Sequence, residues 1–252
     1  MNIAVITGAS SGMGLQFALK LNSLDKDIDE FWLIARRKKR LEILSRKLGS
    51  KTRIFALDLE KTASIEELQK DLKNNNPKIK YLVNAAGFGI IGDVGEYDMR
   101  IEAEMLDLNV RSVTLLTNIC LKYMSEGSSI FMLASAAAFM PQPGFAVYAA
   151  SKAYVLSYSR ALSNELKKRK INVIAVCPGP VSTEFFKKAE KKHSMAFYKK
   201  IFMADARAVV SRAISDSLLG RSVSVYGFGM NIFRFCTKLM PHGFLMKIIK
   251  LK

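Results

Sequence analysis

The chain has 252 residues, of which 50% are hydrophobic, 10% aromatic and 24% charged, without internal repeats or low-complexity tracts. These values suit one globular domain with a full core and exclude a disordered or repetitive chain. Lys and Arg number 39 against 22 Asp and Glu, a formal net charge of +17. That excess could serve nucleic acid, an anionic membrane or an acidic substrate, or form a solvated basic surface.

No apolar run is long enough to predict a membrane span. The longest, residues 130–140, is interrupted by Ser135 and falls short of the ~20 residues that a spanning helix needs. The first residues lack the basic and apolar regions of a signal peptide. The three cysteines, Cys120, Cys177 and Cys236, are scattered among apolar neighbours, which predicts reduced thiols rather than disulfides or a metal site. We therefore expect a cytoplasmic protein without a metal.

A glycine-rich turn joins the first predicted strand, residues 2–6, to a helical run over residues 15–24. The turn reads Thr7-Gly8-Ala9-Ser10-Ser11-Gly12-Met13-Gly14. Gly8 would permit a tight turn, while Gly12 and Gly14 would let a pyrophosphate approach the backbone and let the helix pack on the sheet. The free N–H groups at the helix start would then face the anion. The alternative is an ordinary strand-to-helix turn.

The second predicted strand, residues 31–35, ends in a basic run. It reads Ala35-Arg36-Arg37-Lys38-Lys39-Arg40. A carboxylate there would bind the ribose 2′-hydroxyl of NAD(H), whereas basic groups suit a 2′-phosphate, so we predict NADP(H). We expect Arg36 to bind the phosphate, with Arg37 next, and the last three residues to lie on the exposed face of the following helix. No aromatic or groove-binding motif accompanies the run, so no nucleic acid is expected.

Polar or small residues follow the next two predicted strands, residues 52–57 and 79–83. The first strand leads to Asp58-Leu59 and the second to Asn84-Ala85-Ala86-Gly87. Small residues at a strand end let a cofactor ring lie against the backbone, but they would serve a plain turn equally well. Helices are predicted over residues 64–72 and 101–124. The second helix carries Asn109 among apolar neighbours, either as a helix-distorting hydrogen bond or as part of a relay.

A tyrosine and a lysine stand four positions apart in the predicted helix over residues 147–166. Positions i and i+4 share a helix face, so Tyr148 and Lys152 can converge. A nearby ammonium would lower the phenol pKa from its usual value near ~10 towards the range useful for proton transfer. Taken alone, the pair could equally lie on an exposed helix face. Ser135 directly follows the predicted strand over residues 129–134, which precedes this helix.

Strands alternate with helices through the whole chain. The predicted strands cover residues 2–6, 31–35, 52–57, 79–83, 129–134, 171–176 and 223–226. This alternation predicts an α/β fold, a doubly wound, parallel, seven-stranded Rossmann-type sheet with helices on both faces. We expect a single domain over residues 1–226, followed by an amphipathic basic tail over 227–252.

The ordered motifs resemble those of the short-chain dehydrogenase/reductase family, in its compact, NADP-preferring form. The matching pieces are the glycine turn at 7–14, Asn84 to Gly87, Asn109, Ser135, Tyr148 with Lys152, and Pro178-Gly179. The match covers roughly residues 1–225, and only the order of the set makes it specific. Met13, where the family usually has Ile, is a mild departure.

The resemblance implies hydride transfer between NADP(H) and a ketone or secondary alcohol. Tyr148 would be the general acid or base, Lys152 would bind the nicotinamide ribose and lower the phenol pKa, Ser135 would hydrogen-bond the substrate oxygen, and Asn109 would hold a water. The implied cofactor contacts are Gly8, Ser10, Ser11, Met13, Gly14, Arg36, Arg37, Asp58, Leu59, Asn84, Ala85, Gly87, Tyr148, Lys152, Pro178, Gly179, Val181 and Thr183. The family's habit also implies a homodimer or homotetramer.

Apolar residues follow Ser135 and Thr183, where substrate selectivity is expected. They are Phe139, Met140, Pro141, Phe145, Phe185, Phe186, Met195 and Phe197. An apolar pocket suits an acyl, steroid or aromatic carbonyl better than a sugar, although the same residues could serve core or lid packing. We expect His193 to be a surface residue. The alternative function is an NADPH sensor or scaffold without turnover.

Apolar residues of the tail repeat at helical spacing. They are Ile232, Phe235, Cys236, Leu239 and Met240, with Arg234 and Lys238 between them. An apolar stripe beside basic residues suits a helix lying on an anionic membrane. A lid over the substrate and a subunit interface are the other two interpretations.

Overall fold

Seven parallel strands form one sheet in the computed structural model, which describes residues 1–189 and 203–248, without the side chains of 186–188 and 248. The strands are β1 Asn2–Thr7, β2 Glu30–Ile34, β3 Thr52–Phe55, β4 Lys78–Asn84, β5 Ser129–Leu133, β6 Asn172–Val176 and β7 Val223–Ser224. Their spatial order is β3-β2-β1-β4-β5-β6-β7, and every neighbouring pair is parallel. The predicted sheet is confirmed.

Helices cover both faces of the sheet. The described helices are α1 Gly12–Leu24, α2 Lys38–Leu48, α3 Thr62–Asn75, α4 Met99–Leu106, α5 Ser112–Leu121, α6 Ala146–Glu165, α7 Glu184–Ala189, α8 Ala206–Leu218, α9 Phe228–Leu239 and α10 His242–Ile248. Successive side chains of a strand point to opposite faces. Val5 accordingly joins the core under α3, α5 and α6, while Ile6 joins the core under α1, α2 and α8. Burial on both faces explains why the strands read as continuous apolar runs.

The helix predicted over residues 101–124 is interrupted. A π-helical turn, Asp107–Arg111, separates α4 from α5 and has Asn109 at its centre. Inserted turns of this kind occur frequently at functional sites. Among the residues that the structure covers, no helix is both long and apolar enough to cross a bilayer.

The strand order reverses between β1 and β4, which opens a crevice at the carboxyl ends of the strands. The glycine turn lies at this edge. A Cβ on Gly14 would stand 2.5 Å from the Gly8 carbonyl oxygen, and one on Gly8, whose φ is +65°, would stand 2.8 Å from the Ala85 oxygen. Only glycine at these two positions lets α1 start this close to β1 and β4.

Replacing Gly14 with alanine tests this packing. Gly14→Ala should lower the free energy of unfolding by about 1–3 kcal/mol, because the new methyl group overlaps backbone atoms that cannot rotate away. Gly229, in α9, is the matched control, since a Cβ there meets nothing within 4 Å. Gly229→Ala should leave the unfolding free energy unchanged or raise it by about 0.5–1 kcal/mol. Equal denaturant midpoints for the two variants would contradict the packing described.

Candidate active site

A cavity of about 900 Å³ lies at the carboxyl ends of the strands. Sixteen of the predicted site residues form part of its wall: Gly8, Ser10, Ser11, Met13, Arg36, Arg37, Asp58, Leu59, Ala85, Gly87, Ser135, Tyr148, Pro178, Gly179, Val181 and Thr183. They come from the segments that follow six different strands, β1 to β6. The fold therefore gathers residues that are up to 175 positions apart in sequence, from Gly8 to Thr183.

The other four predicted residues, Gly14, Asn84, Asn109 and Lys152, lie behind the cavity wall. Gly14 acts through the helix packing already described. The Asn84 amide nitrogen donates to the Thr117 hydroxyl at 3.0 Å. Its buried amide oxygen finds no hydrogen-bond partner among the described residues.

Tyr148 is held between two phenylalanine rings near the start of α6. Its ring stacks on Phe145, with centroids 4.3 Å apart, and tilts against Phe185 at 5.3 Å. Burial raises the pKa of the Tyr148 phenol to about 12, although a hydrogen bond with Ser135 opposes the rise. The pKa of this phenol is thus raised, whereas the sequence predicted a lowered value, because removal from water disfavours the phenolate.

Lys152 is only 5% exposed, an unusual position for an ammonium group. Its Nζ donates to the Leu133 carbonyl at 2.8 Å and lies 5.6 Å from the centroid of the Tyr148 ring. Burial lowers the pKa of Lys152 to about 8. The shared helix face predicted from the sequence thus brings the two groups together.

Asn109 ties the π-helical turn to the loop after β4. Its Nδ2 donates to the Phe88 carbonyl at 2.8 Å and to Ser151 Oγ at 3.0 Å, and its Oδ1 accepts from the Phe88 N–H at 3.1 Å. The helix-distorting alternative matches these bonds, while the water-holding role stays a prediction. Sequence reasoning missed Ser151, whose hydroxyl also donates to the Tyr148 carbonyl at 2.7 Å. Its place between Tyr148 and Lys152 was the available signal.

The two arginines after β2 have different partners. Arg36 extends to Glu60, with the charged groups 3.2 Å apart. Arg37 instead lies over the glycine turn, where its Nη2 donates to Ser10 Oγ at 3.0 Å and to Ser11 Oγ at 2.6 Å. The order in which the two arginines would contact a phosphate stays a prediction; of the two, Arg37 is the residue in contact with the turn.

Glu184, at the start of α7, closes the same corner of the cavity. Its carboxylate pairs with Arg37 at 2.7 Å and with Arg40 at 2.5 Å. Hydrogen bonds from these two guanidinium groups lower the pKa of Glu184 to about 2. Sequence reasoning missed Glu184, because 147 positions separate it from Arg37 and nothing local links them.

The substrate end of the cavity is apolar. Its wall includes Phe145, Phe185, Met230 and Phe233. Phe145 and Phe185 were predicted, whereas Met230 and Phe233 come from α9, in the segment predicted as a tail. The sequence also gave no indication of two further wall residues, Gln142 and Lys247.

The remaining predicted substrate residues are divided. Phe139 packs against Phe233, with ring centroids 6.2 Å apart; Met140 is buried and Pro141 is exposed. Met195, Phe197 and His193 lie outside the described residues, as does the side chain of Phe186. No cluster of three potential metal ligands occurs within the described ranges.

The cavity has the features that a dinucleotide requires. Gly8 leaves space beside the start of α1, where free N–H groups would face a bound phosphate. A Cβ on Gly87 would stand 2.7 Å from Asn109 Oδ1 and 3.3 Å from Lys152 Nζ, so bare backbone separates the cavity from the lysine. The residues present therefore fit a nicotinamide dinucleotide.

Three comparisons place this geometry among known proteins. The chain is 31% identical over 193 residues to sulfoacetaldehyde reductase 2 of Chromohalobacter salexigens, covering 73% of this chain and 74% of that one. A short-chain dehydrogenase from Sphingobium yanoikuyae, solved with NADPH, superimposes with a TM-score of 0.79 at 24% identity, over 99% of this chain and 97% of that one. The bulky-bulky ketone specific alcohol dehydrogenase from Comamonas testosteroni superimposes with a TM-score of 0.76 at 23% identity, over 99% of this chain and 95% of that one.

The family model for short chain dehydrogenases matches residues 2–194, which include the glycine turn, Ser135, Tyr148 and Lys152. More than half of the chain is therefore covered by a single family. The predicted resemblance is confirmed: the chain belongs to the short-chain dehydrogenase/reductase family of oxidoreductases.

Proposed function

We propose that the protein is an NADP(H)-dependent reductase of apolar ketones, or in reverse a dehydrogenase of the matching secondary alcohols. The observation that carries the proposal is the position of the Tyr148 phenol, hydrogen-bonded to Ser135 and close to Lys152, where the cofactor end of the cavity meets its apolar end. A proton donor, an oxygen-binding hydroxyl and a cation at one point are what carbonyl reduction requires from a protein.

In the reductive direction, a bound NADPH would supply the hydride for the new C–H bond at the carbonyl carbon. The Ser135 hydroxyl holds and polarises the carbonyl oxygen. Tyr148 gives its phenol proton to that oxygen as negative charge develops on it. The Lys152 ammonium stabilises the resulting phenolate until a proton returns. A Tyr148 pKa near 12 before the cofactor binds keeps the phenol protonated and ready to donate.

The apolar wall favours a bulky carbonyl compound as substrate. Phe145 and Phe185 flank the Tyr148 ring, and Met230 and Phe233 close the cavity from α9. Such a wall gains little from a small charged aldehyde, which would lose its hydration on entry. The ketone specificity in the name of the Comamonas testosteroni neighbour accords with this choice, whereas that of the sulfoacetaldehyde reductase relative does not.

Turnover of aryl ketones with NADPH tests the proposal. Tyr148→Phe should lower kcat about 10²–10⁴-fold, because it removes the proton donor, while the affinity for NADPH stays unchanged. Tyr154→Phe is the matched control on the same helix, since its hydroxyl bonds Thr114 at 2.8 Å outside the cavity. Tyr154→Phe should keep full activity.

Three results would contradict the proposal. One is equal activity in the two tyrosine variants. Another is preference for sulfoacetaldehyde over every aryl ketone, which would contradict the substrate class alone. The third is NADPH binding without turnover of any carbonyl compound, which would favour the sensor alternative.

The 2′-phosphate contact is a separate prediction. Arg37→Ala should weaken NADPH binding about 10–100-fold and leave NADH binding nearly unchanged, because a charge-assisted hydrogen bond is lost from one cofactor only. Arg36→Ala is the matched control and should have a smaller effect, since Arg36 pairs with Glu60. Calorimetric titration with both cofactors measures the difference.

Glu184 should oppose NADPH binding, because its carboxylate occupies the guanidinium group that the phosphate would need. Glu184→Gln should therefore tighten NADPH binding and leave NADH binding unchanged. A larger loss in Arg36→Ala than in Arg37→Ala would contradict the assignment of Arg37. Weaker NADPH binding in Glu184→Gln would contradict the competition.

A further inference from the structure

Helix α9 carries an apolar stripe that no described part of the chain covers. Phe228, Ile232, Phe235 and Leu239 are each between 47% and 84% exposed. Their spacing of four, three and four residues places them along one face of the helix. Scattered exposed apolar residues are ordinary on protein surfaces, whereas four in line over three turns mark a contact surface.

The opposite face of α9 already has its partner. Met230 and Phe233 line the cavity, and Thr237 is buried. A Cβ on Gly179 would stand 2.6 Å from the Met230 sulfur, which shows how closely this face of the helix meets the cavity. The exposed stripe is therefore additional to the face that packs on the protein.

The charge around the stripe indicates what covers it. Residues 228–248, which form α9 and α10, contain three Lys or Arg and no Asp or Glu. Lys238, on α9, is exposed and lies outside the catalytic cavity. A second copy of the chain would bring these like charges together, which opposes pairing. Anionic lipid headgroups would neutralise them, and a basic helix with an apolar face is the form that binds such a surface.

We propose that α9 docks on an anionic lipid bilayer, with the stripe at the boundary between headgroups and acyl chains. Docking uses side chains outside the catalytic cavity, so it does not depend on the proposed reaction. If the reaction is as proposed, Met230 and Phe233 place the cavity wall one helix diameter from the lipid. An apolar ketone dissolved in the bilayer would then have a short path to Tyr148.

Flotation of the whole chain with vesicles tests the docking. The probes are vesicles of phosphatidylcholine alone and of phosphatidylcholine mixed with phosphatidylserine. Wild type should float with the mixed vesicles and much less with the neutral ones. Phe235→Ser/Leu239→Ser should bind the mixed vesicles at least about tenfold more weakly, because it removes half of the stripe.

Leu24→Ser/Met99→Ser is the matched control, since both residues are comparably exposed on other helices. It should bind as wild type does. Thermal unfolding and turnover of a water-soluble ketone should be unchanged in both double variants, because none of the four side chains lines the cavity.

Docking would be refuted if wild type failed to float with anionic vesicles, bound neutral vesicles equally well, or bound as tightly after Phe235→Ser/Leu239→Ser. Light scattering covers the remaining alternative. A wild-type dimer that this double variant converts to monomers would show that a second copy covers the stripe, which also overturns the proposal. If wild type binds anionic vesicles but turns over no ketone, the result contradicts the proposed reaction and leaves the docking proposal standing.

Discussion

Burial of the Lys152 ammonium is the constraint on which the site depends. The group is displaced from water by the packing of α6 on β5, and its one described hydrogen bond goes to the Leu133 carbonyl. Its pKa falls from 10.5 to about 8. Between pH 8 and pH 10.5 the unfolded chain binds more protons at this group than the folded chain does. The free energy of unfolding therefore increases as pH rises through this range, and the buried ammonium destabilises the folded state at neutral pH. The fold holds this charge beside the Tyr148 ring, where the proposed reaction would need it.

Glycines and a π-helical turn make room for that charge. Gly87 separates Lys152 from the cavity without a side chain, and Asn109 fixes the loop that contains Gly87 by bonding Phe88 on both backbone groups. Ser151 joins Asn109 to the helix of Tyr148. The loop after β4, the π-helical turn and α6 are thereby joined by hydrogen bonds behind the cavity wall. Such supporting contacts hold the residues of a site in position.

The fold and the pairing of Tyr148 with Lys152 could be predicted because both follow from local sequence patterns. Apolar runs at strand length, alternating with helical periods, determine a parallel sheet, and the spacing of Tyr148 and Lys152 places them on one helix face. The prediction of one continuous α-helix over residues 101–124 was wrong around Asn109. There a π-helical turn is stabilised by hydrogen bonds to a loop that is distant in sequence.

Other features depend on packing that no local pattern records. The direction of the Tyr148 pKa shift follows from burial of the phenol, whose ring packs against Phe145 and Phe185. Arg37 and Arg36 are adjacent in sequence, so only the path of the chain into α2 decides which one contacts the glycine turn. The sequence of the tail likewise predicts an apolar helix face. It does not predict that Met230 and Phe233 of this helix line the cavity.

The ionisation of Tyr148 tests the central claim most directly. Subtracting the ultraviolet pH titration of Tyr148→Phe from that of wild type isolates this phenol, with and without NADP⁺. The account predicts a pKa near 12 in the free protein and a clear decrease on binding NADP⁺, whose nicotinamide charge joins that of Lys152 beside the ring. A phenol pKa that is the same with and without NADP⁺ would contradict it.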